Sequence, residues 1–297
     1  MSNKVLVIGA QNIDIFTKTK EPYRLRDSNI CTVSMAFGGV GRNIVENLSR
    51  LGNDVSFMTV FSTDHFGQVA KQSLLDMGVI LTHSIDQDGY ANSIYLGILD
   101  EENDMYLGLN DMAIVESLNQ EYFKSHIDYI NSFEIVVVDN NLSEESISYL
   151  LKNITSTKVM DAVSAHKIPK IAKLVQYIDY LKVNKIEHYE LTKLRQQLPE
   201  ENMPKGTNYI VTNGPKEIQY LTLDKPYYSM PLQCDNIVNA SGAGDGFISG
   251  FIHGLLQNKQ EETKLEYAKR VAYITLQSND ATSKSLCKEE VEDETIY

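Results

Sequence analysis

Apolar positions along this chain fall into two alternating rhythms. Short unbroken runs, such as Val5 to Ile8 closed by Gly9, Ile135 to Val138, and Tyr180 to Val183, read as strands buried on both faces. Further strands are expected over Val55 to Val60, Lys158 to Asp161 and Tyr209 to Thr212. Between them the apolar residues recur every three or four positions. Ile44, Val45, Leu48 and Leu51 form one helical face stopped by Gly52, and Asp64 to Met77 covers a turn and a helix ended by Gly78. Helices are also expected near 118–130 and over 143–152, 168–176, 187–197 and 268–276. A further helix carries its apolar face at 247, 248, 251, 252, 255 and 256. Repeated βα units of this length predict an α/β fold: a doubly wound, mainly parallel sheet with helices on both faces.

Two segments break the alternation. Residues 15–37 hold Pro22, an Asp27-Ser28-Asn29 turn and an alternating run from Thr32 to Phe37, too long for an ordinary βα loop. Ile94–Leu99 and Met105–Leu109 read as an antiparallel pair joined by the acidic turn 100–104. Together they predict a small β lid (11–37 and 89–111) on a core formed by 1–10, 38–88 and 112–297. Apolar lid positions such as Ile94, Leu96 and Ile98 point to a homodimer through the lid. A hairpin is expected within 217–238, and the charged segment 285–297 is expected to fray.

Composition narrows the function. The apolar fraction is 42% and supports a sizeable core, while the net charge of −13 argues against a nucleic-acid partner. That charge leaves ATP open, because backbone N–H groups and Mg²⁺ can build a nucleotide site. No apolar run reaches membrane length and the N-terminus lacks a signal peptide's apolar stretch, so a cytoplasmic protein without membrane association is expected. Cys31, Cys234 and Cys287 are widely spaced, as in a reduced protein. No GxxxxGK[ST] or GxSxG occurs, which excludes a P-loop enzyme and a serine hydrolase with that elbow.

The chemistry concentrates at Gly242-Ala243-Gly244-Asp245. Three nearly side-chain-free residues at a helix start let backbone N–H groups converge as an anion site. An acid placed there suits a base that meets a phosphoryl group, which suggests phosphoryl transfer to a hydroxyl. Asn12 and Asp14 follow the first strand, at the carboxyl edge where open α/β sheets bind ligands. Gly38, Gly39 and Asn43 open a helix at a spacing that lets a small polar ligand touch backbone. This is not a dinucleotide fingerprint, since Ile44 replaces the third Gly. Arg42 either serves the phosphate side or is solvated. Asn184 and Glu187, three apart, either cap a helix or take part in the site.

With these elements in order, the whole chain resembles the ribokinase-like (PfkB) carbohydrate and nucleoside kinases. The carriers are Gly38-Gly39 with Asn43, Leu51 and Gly52, and the Gly-Ala-Gly-Asp segment. Asn12-Ile13-Asp14, Asp27-Ser28-Asn29, Asn110-Asp111-Met112, Val163-Ser164-Ala165 and Asn239 resemble the branch acting on pseudouridine. The resemblance implies ATP-dependent phosphorylation of a nucleoside 5′-hydroxyl, with Asp245 as base and Gly242, Ala243 and Gly244 as anion hole. It assigns Asn12, Asp14, Gly38, Gly39 and Asn43 to the sugar hydroxyls. Asn184 and Glu187 would order Mg²⁺ through water, Thr212 and Gly214 would touch nucleotide phosphates, and Asn279 would lie at the adenine. Other sugar or nucleoside kinases of this fold, and a non-catalytic sugar sensor, remain alternatives. Two departures stand out. Asn239-Ala240 replaces the usual Asp-Thr and removes a carboxylate linked to a monovalent cation (K⁺), and Pro215-Lys216-Glu217 follows Gly214 where a second Gly is usual.

Overall fold

The computed structural model describes residues 4–102, 104–197 and 206–293. Its strands are β1 (Lys4–Ile8), β2 (Asn12–Thr19), β3 (Cys31–Gly38), β4 (Asp54–Met58), β5 (Val60–Ser62), β6 (Ile85–Gln87) and β7 (Ile94–Leu99). They continue as β8 (Met105–Asp111), β9 (Ile135–Asp139), β10 (Thr157–Asp161), β11 (Tyr180–Asn184), β12 (Asn208–Thr212), β13 (Ile218–Leu221) and β14 (Pro226–Ser229). The main sheet has the order β14-β13-β12-β11-β10-β9-β1-β4. It is parallel from β12 to β4 and antiparallel only at the β13–β14 edge. The buried apolar runs thus form a sheet covered on both faces, with Leu6, Ile8, Val136 and Val138 in one core layer and Val5, Val7, Ile135 and Val137 in the other.

Successive strands step outward in opposite directions from β1, to β4 on one side and to β9 and β10 on the other. The carboxyl ends of β1 and β9 therefore flank a switch point, where connections leave to opposite sides and open a crevice. The helix Ala243–Leu256 packs on the sheet through Phe247, Ile248, Phe251 and Ile252. Its other face meets the helix Glu261–Leu276 closely: a Cβ at Gly250 would lie 2.4 Å from the Tyr267 carbonyl oxygen.

Segments 11–37 and 89–111 supply a separate four-stranded sheet, in the order β3-β2-β7-β8. Asn103 of the joining turn lies outside the described residues. Cross-strand register puts Val33, Met35, Ile15, Leu96, Ile98, Leu107 and Leu109 on one face, and Asp14, Tyr95 and Asn110 on the other. On the apolar face Val33 and Met35 are 60% and 55% exposed, whereas Ile94, Leu96 and Ile98 are half-buried. The bare apolar surface therefore lies on the edge strands rather than on β7.

Three expected elements differ. The helix near 118–130 is two pieces, Gln120–Ser125 and Ile127–Ile130. The His126 ring nitrogen lies 2.8 Å from the Tyr122 carbonyl, while the His126 N–H turns to Phe123, breaking the α ladder. The helix over 168–176 shortens to Ile168–Ile171 and resumes as a 3₁₀ turn. The tail does not fray at 285–293. Lys288–Glu292 is helical, Val291 is buried, and Arg270 donates to the Val291 carbonyl at 2.7 Å. Residues 294–297 lie outside the described residues.

Candidate active site

At the switch point the chain leaves β1 through Gly9 and Ala10, and β9 ends in the buried Asp139. Asp139 accepts from Ala10 N at 3.1 Å and from Asn141 Nδ2 at 2.7 and 2.9 Å, so it ties the two strand ends together. Gly9 permits this approach, since a Cβ there would lie 2.4 Å from Asp139 Cβ. A cleft of about 440 Å³ opens above them. Asn12, Asp14, Gly39 and Asn43 line it with Tyr95, Asn110, Asn141, His166 and Lys167.

Asn12 and Asp14 are the first residues of β2 to leave the main domain, and the Asn12 amide donates to Asp14 Oδ1. Gly38 lies against that carboxylate, where a Cβ would be 2.1 Å from Oδ2. Burial raises the Asp14 pKa to about 6, against the Asn12 hydrogen bond and the Arg42 charge, which both lower it. Gly39, with φ of 98°, precedes the helix Val40–Arg50. Asn43 in the first turn of that helix donates to Asp245 Oδ2 at 2.8 Å, and its buried Oδ1 has no protein partner.

Arg42 is buried rather than solvated. Its side chain is paired with Glu46 Oε2 at 2.8 Å and lies 4.6 Å from the Phe37 ring centroid. A partner one turn along the same helix and an aromatic roof hold the guanidinium inward, away from solvent.

Gly242 adopts a left-handed conformation (φ 75°) and a Cβ there would fall 1.8 Å from the Ala281 carbonyl oxygen, so only glycine fits. The helix that follows presents its first-turn N–H groups, which have no intrahelical acceptor, beside Ala243 and Gly244. Asp245 is buried in that turn. Lys182 lies under Gly244, whose Cβ would be 2.7 Å from Nζ, and pairs with Asp161 at 2.9 Å. Both are buried. Burial, then the Asp161 charge, push the Asp245 pKa upward, and Lys182 and Asn43 oppose them. The site acid is thus a stronger base than a solvated carboxylate.

The remaining expected residues stand further along the same carboxyl edge. Asn184 ends β11 and forms a full capping box: its Oδ1 accepts from Glu187 N at 2.9 Å and Glu187 Oε2 accepts from Asn184 N at 2.7 Å. Glu187 is buried, which raises its pKa, while the Lys182 charge lowers it. Thr212 ends β12, and Gly214 turns with φ of 56° in an exposed loop with Glu217. Asn279 is exposed after the helix Glu261–Leu276, and its carbonyl accepts from Asn239 Nδ2 at 3.0 Å. The structure thus brings Asn12, Asp14, Gly38, Gly39 and Asn43 together beside Asp245. Asn184, with Glu187 bonded to it, and Thr212 face each other in the β11–β12 register, Asn279 is bonded to Asn239, and Arg42 acts on the first set through its charge on Asp14. Sequence reasoning passed over Asp139, Asn141, Asp161, His166, Lys167 and Lys182. The available signal was the polar residue at or near each strand's carboxyl end.

Comparison with known proteins identifies the family and the fold. The model of the pfkB family of carbohydrate kinases matches residues 2–287. The chain is 31% identical to pseudouridine kinase of Escherichia coli (strain K12) over 257 residues, covering 83% of this chain and 82% of that protein. In structure it superposes on ribokinase from Thermotoga maritima with a TM-score of 0.84 at 21% identity, covering 97% of each chain. It also superposes on Arabidopsis thaliana ribokinase complexed with ribose and ATP, with a TM-score of 0.82 at 16% identity, covering 98% of each. The chain therefore belongs to the pfkB family of carbohydrate kinases, and is a phosphotransferase of ribokinase-like fold acting on a sugar or nucleoside.

Proposed function

We propose that this enzyme transfers the γ-phosphoryl group of ATP to the 5′-hydroxyl of a nucleoside, pseudouridine. The observation that carries the reading is the Asn43–Asp245 hydrogen bond of 2.8 Å, which joins a polar cleft to a glycine-lined anion cradle at one carboxylate. The similarity to a pseudouridine kinase supports the choice of pseudouridine.

In this reading Asn12, Asp14, the Gly38–Gly39 backbone and Asn43 take the sugar hydroxyls, and the 5′-hydroxyl meets Asp245. Asp245 accepts the hydroxyl proton, and its raised pKa matches that task near neutral pH. The amides of Gly242 to Gly244 hold the moving phosphoryl group, and the buried Lys182 adds positive charge from below. The β2–β3–β7–β8 sheet covers the cleft as a lid and excludes water, which competes as acceptor. Thr212, Gly214 and Asn279 line the nucleotide's path along the sheet edge.

Mg²⁺ supplies charge neutralisation on the phosphates when bound. Among the described residues no three His, Cys, Asp or Glu side chains converge to ligate a metal directly. The oxygen donors near the cradle, Glu187 first, suit a hydrated ion that arrives on the phosphates and is met through its waters. Asn239 bridges its own loop to Asn279 with an amide that both donates and accepts, which an ionised Asp cannot do. We assign it the cross-link that makes a K⁺ ion unnecessary there. The apolar outer face of the lid sheet is assigned to a homodimer. No helix among the described residues is long and apolar enough to cross a membrane, and a cytoplasmic enzyme fits this use of ATP.

The test is an ATP-consumption screen over pseudouridine, uridine, other nucleosides and free sugars. Pseudouridine is expected to give the highest kcat/KM. A preference for free ribose or a hexose overturns the nucleoside reading and leaves the fold untouched.

A further inference from the structure

One wall of the cleft takes no part in the sugar or phosphate chemistry above. It consists of Asn141, just past β9, and Val163, His166 and Lys167, in the turn after β10. That turn is unusually fixed. Val163 holds a left-handed backbone (φ 67°), which is strained for a β-branched residue. Its N–H donates to Asp161 Oδ1 at 2.7 Å. The buried Asn140 amide donates to the Ala162 and Lys167 carbonyls at 3.0 and 3.2 Å, pinning both ends of the turn. Strain kept in place by such bonds marks a position where geometry matters more than local stability.

The turn sets Lys167 against Asn141. Lys167 Nζ donates to Asn141 Oδ1, while Asn141 Nδ2 is spent on both oxygens of Asp139. The Asn141 amide is therefore used at both ends. The ammonium has three N–H donors and gives one to Asn141, which leaves two for a ligand in the cleft. Neighbouring Lys170 turns away to the Leu142 carbonyl at 2.9 Å. Lys167 and Asn141 thus offer donors and no free acceptor, while His166 beside them meets the Ser164 hydroxyl with its Nδ1 at 3.2 Å. Burial pulls the Lys167 pKa down and the Asp139 charge opposes it, while Asp14 and Asp245 lie in and beside the cleft, so a neutral oxygen is favoured there over a charged group.

We infer that Lys167, held by Asn141, reads a carbonyl oxygen of the base and makes the enzyme select keto (uracil-type) nucleosides over those bearing an exocyclic amine at that edge. An amine there meets donors with donors, whereas a carbonyl completes the chain Asp139–Asn141–Lys167–base. This inference rests on the nucleoside-kinase reading and adds the residue that sets its base preference.

The experiment compares kcat and KM for pseudouridine, uridine, cytidine and adenosine in the wild type, Lys167→Met and Lys167→Arg. The wild type should prefer the two uracil nucleosides. Lys167→Met should raise their KM roughly 10- to 150-fold, the worth of one hydrogen bond to a charged group. Its kcat should stay within about twofold, and cytidine and adenosine should be unaffected, so the preference collapses. Lys167→Arg should retain it. A purely structural role predicts equal losses on all four substrates, and that outcome, or an unchanged preference in Lys167→Met, overturns the inference while the nucleoside reading stands. Should Lys167→Met fail to fold, a wild type that takes cytidine as readily as uridine overturns it equally. A wild type active on free sugars and on no nucleoside sinks the nucleoside reading and this inference together.

Discussion

Asp14→Asn separates the energetic cost of the site from its use. Asp14 sits beside Gly38 and Asn12 with its pKa raised from 3.8 to about 6, chiefly by burial. Roughly two pKa units correspond to about 3 kcal/mol of destabilisation whenever the carboxylate is charged in the fold. The sign follows from linkage. The folded state keeps the proton to higher pH than the unfolded state, so wild-type stability falls as pH rises from about 4 to about 6 and the cost is full above that. An Asn of the same shape removes the charge and still accepts from the Asn12 amide. The variant should therefore be more stable at pH 8, by up to about 3 kcal/mol, or several degrees at about 2 °C per kcal/mol for a chain of this size. Near pH 4 the two proteins should melt together. Activity should move the other way: losing one charge-assisted hydrogen bond to a sugar hydroxyl, worth about 1.5–3 kcal/mol, raises KM roughly 10- to 150-fold. Calorimetry across pH and steady-state kinetics report the two halves independently. A variant no more stable than wild type at pH 8 refutes burial as the dominant influence on Asp14, and an unchanged KM removes Asp14 from the sugar site.

Other outcomes follow from the same geometry. Asp245→Asn should lower kcat by about 10²–10⁴, with substrate binding by calorimetry nearly intact, since it removes a proton acceptor and keeps the shape; turnover within tenfold of wild type would show that another group is the base. In the wild type, kcat/KM should drop as pH falls through a value above the ordinary carboxylate range, because both raised acids act deprotonated. An acid limb at the pKa of a solvated carboxylate would contradict this. Initial rates in Na⁺ and in K⁺ should agree within about twofold if Asn239 does the cross-linking assigned to it, and a strict K⁺ requirement ends that idea. Val33→Lys with Leu107→Lys, which charges the exposed apolar face of the lid sheet, should convert a dimer to a monomer in gel filtration. A wild type already monomeric at micromolar concentration disproves the lid dimer.

Much of the fold and the centre of the site could be read from the sequence for physical reasons that single residues expose. A glycine at 242 or 39 announces a backbone that no Cβ allows, and Val5 to Ile8 announces a strand covered on both faces. Asp139, Asp161 and Lys182 were hidden because each looks like one polar residue in or closing an apolar strand. What gives Asp161 and Lys182 meaning is their pairing across β10 and β11, a relation between residues twenty-one apart in sequence. Arg42 was ambiguous for the opposite reason. Its neighbours Phe37 and Glu46 are close in sequence, but only the entry angle of the helix turns the guanidinium under the ring. The tail at 285–293 read as charged and free because its anchors, Arg270 and His253, lie on helices that end well before it.

The placement of the residues proposed to bind the sugar carries a consequence for closure. β2 begins at Asn12, where Ile13 N donates to the Ser93 carbonyl at 2.9 Å, and continues as a central strand of the lid to Thr19. β3 returns through the lid and ends at Gly38, opposite Asn12 in the register. Asn12, Asp14 and Gly38 are therefore the root of the lid itself, whereas Asn43 and Asp245 belong to helices packed on the main sheet. A rotation of the lid about that root displaces the first three relative to the last two. On the proposed reading both sets must meet one sugar, which makes their contact with it depend on the lid position. Hydroxyl contacts at the root would then favour the position that satisfies both sets by their own binding energy, which is the differential affinity a ligand needs to shift a conformation. On the proposed reading water would then be excluded as the 5′-hydroxyl is aligned with Asp245, and an ill-fitting sugar that misses the root residues would leave the lid without that bias.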